Sequence, residues 1–127
     1  MILIGHDIVP FQPLFLVSTK EDIANTPSNA NILFIFNKAL LGYCVEQKIP
    51  FSLHVEDIKE LVIGNALGAS YLLVSKKFAK QAQKIAEEYF FDSKILLLGK
   101  KEDDIEFAAF QGIDGIIFKK GIRHEDI

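Results

Sequence analysis

From residue 32 onward the chain repeats one pattern: a short apolar run, a polar break, an amphipathic stretch, then glycine. Ile32 to Phe36 is apolar on both faces and predicts a buried strand. Asn37 supplies an N-cap for a helix to about Lys48, with Leu40, Leu41, Cys44 and Val45 on one face. Pro50 breaks the chain before Phe51 to Val55, whose alternation predicts a strand with one wetter face. A helix from about Asp57 to Leu67 follows, carrying Ile58, Leu61, Val62, Asn65 and Ala66 on one face, with Gly68 at its C′ position.

Ala69 to Ser75 predicts the next strand, and Lys76 to Phe91 the longest helix. Phe78, Ala82, Ile85, Ala86 and Tyr89 form its apolar stripe, while Lys80, Gln81, Lys84, Glu87 and Glu88 face water. Ile95 to Gly99 is a wholly apolar strand. Glu102, Asp103 and Asp104 then place acid in the first turn of a helix that ends at Gly112. Ile113 to Phe118 is the last strand of the repeat. Residues 68–74 echo residues 112–118 at an offset of 44, two strand–helix units apart.

The first 31 residues are less regular. Ile2 to Ile4 and Leu14 to Val17 predict strands, separated by Pro10 and Pro13, with Ile2 to Ile4 as an added edge. Ser18 and Glu21 have capping-box spacing for a short helix over Thr19 to Ala24, and residues 25–31 form a turn-rich connector. No linker divides the chain, so residues 1–127 read as one domain, and both ends are expected to be held by packing or by a partner subunit. Strand–helix alternation with doubly apolar strands predicts a mostly parallel sheet of about five to six strands with helices on both faces, a flavodoxin-like or Rossmann-like three-layer fold. The alternative is half of a (β/α)8 barrel, completed by a second subunit. A closed eight-stranded barrel typically needs about 250 residues, which excludes it for one chain; of the two remaining options the open sheet is preferred.

Composition narrows the function classes. The chain has 127 residues, 50% of them hydrophobic, and a net charge of −3. The acidic balance offers no field for nucleic acid. No uncharged run reaches the roughly 20 residues of a membrane helix, and Met1 to Ile4 lacks the basic flank of a signal peptide. The lone Cys44 fits a reducing compartment, so a cytoplasmic protein is expected.

Ligands of parallel sheets bind outside the carboxyl ends of the strands. That rim collects Asn37-Lys38, His54 to Asp57, Ser75 to Lys77, Gly99 to Lys101 and Lys119-Lys120, which include seven of the fourteen basic residues. Helix N-termini face the same edge, so an anion site for a phosphate or carboxylate could form from Asn37, Ser75, Lys76, Lys101 and Lys119. No glycine-rich phosphate fingerprint accompanies them. His54, at a strand end two residues before Glu56, is the candidate acid–base group, or else a residue of the wetter strand face. Cys44 reads as a core thiol. The pairs His6-Asp7 and His124 to Asp126 read as chance neighbours, so neither a metal nor another cofactor is expected.

Residues 94–121 resemble the closing strand–helix–strand of response-regulator receiver domains, with an apolar fourth strand, Gly112-Ile113-Asp114 before the fifth, and Lys119 at its end. The resemblance implies a flavodoxin-like fold and a degenerate receiver. Asn37 follows the first strand in place of acidic metal ligands, Ser75 stands after the third where the phosphoacceptor Asp belongs, and Gly99 and Lys120 replace a Ser or Thr and a Pro. Such a domain would act through its surface. The leading expectation is therefore a non-catalytic binding or interaction domain that forms homo-oligomers, with Phe11 and Phe15 as interface residues and Phe90-Phe91 as a second apolar cluster. The alternative is a small-molecule enzyme or sensor that binds a phosphorylated or carboxylated metabolite at the lysine-rich rim.

Overall fold

A computed structural model describes residues 1–124, and the expectations for the C-terminal end and for Glu125-Asp126 lie outside these. Eight strands form one all-parallel sheet: β1 (Ile2–Ile4), β2 (Leu14–Leu16), β3 (Asn31–Ile35), β4 (Phe51–His54), β5 (Tyr71–Val74), β6 (Lys94–Leu98), β7 (Gly115–Ile117) and β8 (Ile122–His124). Five helices join β2 through β7: α1 (Lys20–Ala24), α2 (Lys38–Gln47), α3 (Ile58–Ala66), α4 (Lys76–Glu88) and α5 (Asp104–Phe110). The strand order is β1-β7-β6-β5-β4-β3-β2-β8.

That order makes the sheet curl. β7 and β8 stand six positions apart, which in a flat sheet is roughly 29 Å. Only five Cα steps, at most about 19 Å, separate Ile117 from Ile122. The two ends of the ladder therefore come round to each other. They meet at Gly5 and Gly121, where a Cβ on Gly5 would lie 2.6 Å from the Gly121 nitrogen, and one on Gly121 would lie 2.6 Å from Ile4 Cγ2. Glycine is required there because two backbones touch.

The curl also decides where the helices lie. From β2 to β7 every connection steps to the next neighbour in one direction, and right-handed crossovers then put all helices on one side. Ile23, Leu40, Leu41, Cys44, Leu61, Ala79, Ala82, Ala86 and Ala108 from the five helices pack on Phe34, Leu53, Leu72, Val74, Ile95, Leu97 and Ile116. The opposite face has a cluster of its own, Ile4, Leu14, Leu33, Leu73, Leu96 and Ile117, with no helical residue. Two expectations are thereby corrected: the sheet has eight strands, not five or six, and its helices cover one face, not both. Leu33, Leu73 and Leu96 are apolar because the sheet closes over them, which has the same sequence signature as a second helical layer.

Local signals hold with small shifts. Asn37 caps α2 by accepting from the Leu40 N–H at 3.0 Å. Gly68 and Gly112 follow α3 and α5 with φ of 88° and 71°. The capping box falls one residue later than expected, between Thr19 and Asp22, because Asp22 reaches both the Ser18 and Thr19 N–H groups. α4 ends at Glu88, so Tyr89 leaves the apolar stripe and is exposed. Gln83 takes a buried place instead. Its amide pairs with Asp114, whose other oxygen accepts from the Ile95 N–H at 2.9 Å. Among the described residues no helix is long and apolar enough to cross a membrane.

Candidate functional site at the carboxyl rim

Most of the rim saturates itself. Asp22 accepts from the Ser18 and Thr19 N–H groups, and Asp57 and Glu60 accept from the Glu60 and Glu56 N–H groups. Asp104 accepts from Lys100 N–H at 2.8 Å and Lys101 N–H at 3.2 Å, and receives the Lys76 ammonium at 3.2 Å. The amides that would cradle an external anion in these loops thus already hold an internal carboxylate. The Lys100 and Lys101 amides and Lys76 keep the Asp104 carboxyl below the usual range against the opposing effect of burial. At Asp22 the Ser18 amide acts in the same direction.

One cleft of about 500 Å³ is different. It is lined by Gly5, His6 and Asp7 after β1, Gly99 to Glu102 after β6, and Phe118 to Lys120 after β7. Gly99 opens its floor, since a Cβ there would lie 2.6 Å from Ile116 and 2.9 Å from Phe118. Asp104 clamps the Lys100–Lys101 backbone from behind, so both side chains project from a fixed turn. Across the cleft stand Lys119 and Lys120 in a 3₁₀ turn, Lys119–Gly121. Two contacts tie the walls together. His6 Nδ1 accepts from the Ile8 N–H at 3.3 Å, so the ring proton sits on Nε2 and is donated to Glu102 Oε2 at 2.8 Å. Lys120 donates to Asp7 and holds that carboxyl below its usual value. The lining holds four lysines and two carboxylate residues, which leaves the cleft cationic on an acidic protein.

No family model and no curated protein matches the chain. The cleft therefore has to be read from its own geometry.

The structure brings Lys101 and Lys119 together and disperses the other expected site residues. Lys76 is engaged by Asp104 and lies over the Phe107 ring. Asn37 lines a second cleft of about 440 Å³ with Leu16, Asp22, Phe34, Ile35 and His124. Ser75 occupies the N-cap of α4 without making a side-chain cap. His54 sits on the inner sheet face between Ile35 and Leu73, outside both clefts. Phe11 is half-buried against the inner cluster, and Phe15 lines a groove at the opposite end with Pro13 and Pro27. Burial pushes the Cys44 thiol up to about 11, which leaves it inert. Sequence reasoning missed His6, Asp7 and Glu102. The available signal was Ile2 to Ile4, since a parallel strand there delivers His6 and Asp7 to the same rim as the lysines. Among the described residues no three His, Cys, Asp or Glu side chains form a metal-ligand group.

Proposed function

We propose that the chain is a non-catalytic binding domain that holds a phosphate- or carboxylate-bearing group in the cleft between β1, β6 and β7. The observation that carries this reading is the convergence of Lys100, Lys101, Lys119 and Lys120 on one tethered cleft, while Asp22, Asp57 and Glu60 saturate loops elsewhere on the rim. Lysines act here as point charges on flexible stems, which suits a small anion of varied shape better than a planar clamp. The enzyme reading gives acid–base work to His54, which does not face this cleft. Both ring nitrogens of His6, the histidine that does, are engaged. Binding without turnover is therefore the better-supported function.

A thermal-melt series with phosphate, sugar phosphates, nucleotides and dicarboxylates tests it. At a hundredfold excess over Kd a bound anion stabilises by roughly 2.7 kcal/mol, a shift of several degrees for a domain this size. The expected result is a selective shift that survives moderate salt and is lost in Lys119→Ala. A shift that Lys119→Ala leaves intact would refute the site.

A further inference from the structure

The end of the molecule opposite the rim carries a cluster that the core does not use. α4 closes on Tyr89 and Phe90, with the Phe90 and Phe91 N–H groups returning to the Glu87 and Ala86 carbonyls. Phe90 takes the position where glycine is usual in this closing motif, with φ of 52°. It is also 89% exposed. Phe110, the last residue of neighbouring α5, is exposed to the same 89%, and Tyr89 to 71%. A solitary domain would gain by glycine at 90 and a polar residue at 110. Residues 87–94, which carry Tyr89 and Phe90, hold three carboxylates, Glu87, Glu88 and Asp92, against one ammonium, Lys94.

The rim cleft has the complementary character: four lysines, a glycine floor and the half-buried Phe118 ring. Complementary patches at opposite ends of one chain make a heterologous contact, which builds head-to-tail chains or rings. We propose that the occupant of the cleft is the acidic, aromatic base of a second copy of this chain. Glu87, Glu88 and Asp92 meet the lysine ammonium groups, while Phe90 and Phe110 pack on the lysine stems and Phe118. This rests on the reading of the cleft as an anion site and names the anion as carboxylates of another copy.

Sedimentation velocity on two double variants tests it. Lys101→Glu/Lys119→Glu disables the rim, and Phe90→Gly/Phe110→Ser disables the base while suiting the local backbone. The unmodified chain is expected to self-associate with rising concentration and to dissociate in 1 M salt, about the strength at which charges are screened within 3 Å. Each variant alone is expected to associate at least about tenfold more weakly. Mixed in equal amounts, they are expected to form 1:1 dimers and nothing larger, since one intact interface remains. A mixture that stays monomeric, or a base-disabled variant that assembles like the unmodified chain, would overturn the proposal. The melt shift with phosphate separates the two readings. If it persists in Phe90→Gly/Phe110→Ser while no assembly forms, the cleft stands and the second copy falls; if no anion shifts the melt, the cleft reading fails by itself.

Discussion

The two ends of the sheet handle their polar groups differently. At the base, polar side chains reach across the fold: Asp114 joins Gln83 of α4 to the Ile95 amide of β6, Ser93 bonds to Asn65 and to the Ala69 carbonyl, and Ser52 meets Asn31 on the next strand. At the rim, polar side chains mostly satisfy their own loops within four residues, as Asp22, Asn37, Asp57 and Asp104 do. Contacts within a loop shape that loop and leave neighbouring loops free to differ. Long-range contacts at the rim gather around the cationic cleft, as His6 with Glu102, Asp7 with Lys120 and Lys76 with Asp104. The base is fastened for stability, and the rim is fastened only where a site could stand.

Asp114→Ala should break the base most severely. It strands the Ile95 N–H and takes one of two carboxylate acceptors from the Gln83 amide, and should cost about 3 kcal/mol in urea unfolding, since lost bonds to a charged group and an unpaired buried donor add. At the rim, Asp104→Ala should cost less, about 2 kcal/mol, because Lys100 and Lys101 can turn their amides to water. Asp104 also gives the rim a pH signature. Its folded pKa is depressed, so its stabilisation is present above the ordinary carboxylate value near 3.8 and is lost as pH falls through the lower folded value. Stability of the unmodified chain should therefore drop over that acid range, and Asp104→Asn should flatten the drop. Phe90→Gly at the base should stabilise by about 1 kcal/mol, since glycine relieves the left-handed backbone. Lys119→Ala should change stability by less than about 0.5 kcal/mol while removing anion binding. If Lys119→Ala unfolds the chain, the contrast between a structural base and a functional rim is lost.

Local chemistry was legible in the sequence and long-range closure was not. The strand–helix alternation after residue 32, the Asn37 cap and the glycines at 68 and 112 each depend on neighbours a few positions away, and they stand where expected. One-sided helical cover was hidden because Leu33, Leu73 and Leu96 face a closed inner side that is as apolar as a helix-covered one. β8 escaped notice because Ile122 to His124 is short and polar, and its partner β2 lies over a hundred residues away. In the site, the lysines were visible as strand-end residues, but joining Lys101 with Lys119, and both with His6, required the strand order that pairs β7 with β6 on one side and with β1 on the other.

The most direct test of the cationic cleft is a titration of the 15N-labelled chain with phosphate, read residue by residue in amide chemical shifts. Saturable shifts should cluster at residues 5–7, 99–102 and 118–121 and vanish in Lys101→Ala/Lys119→Ala. Shifts that fail to saturate, or that gather instead at residues 16–18 and 34–37, would contradict the assignment.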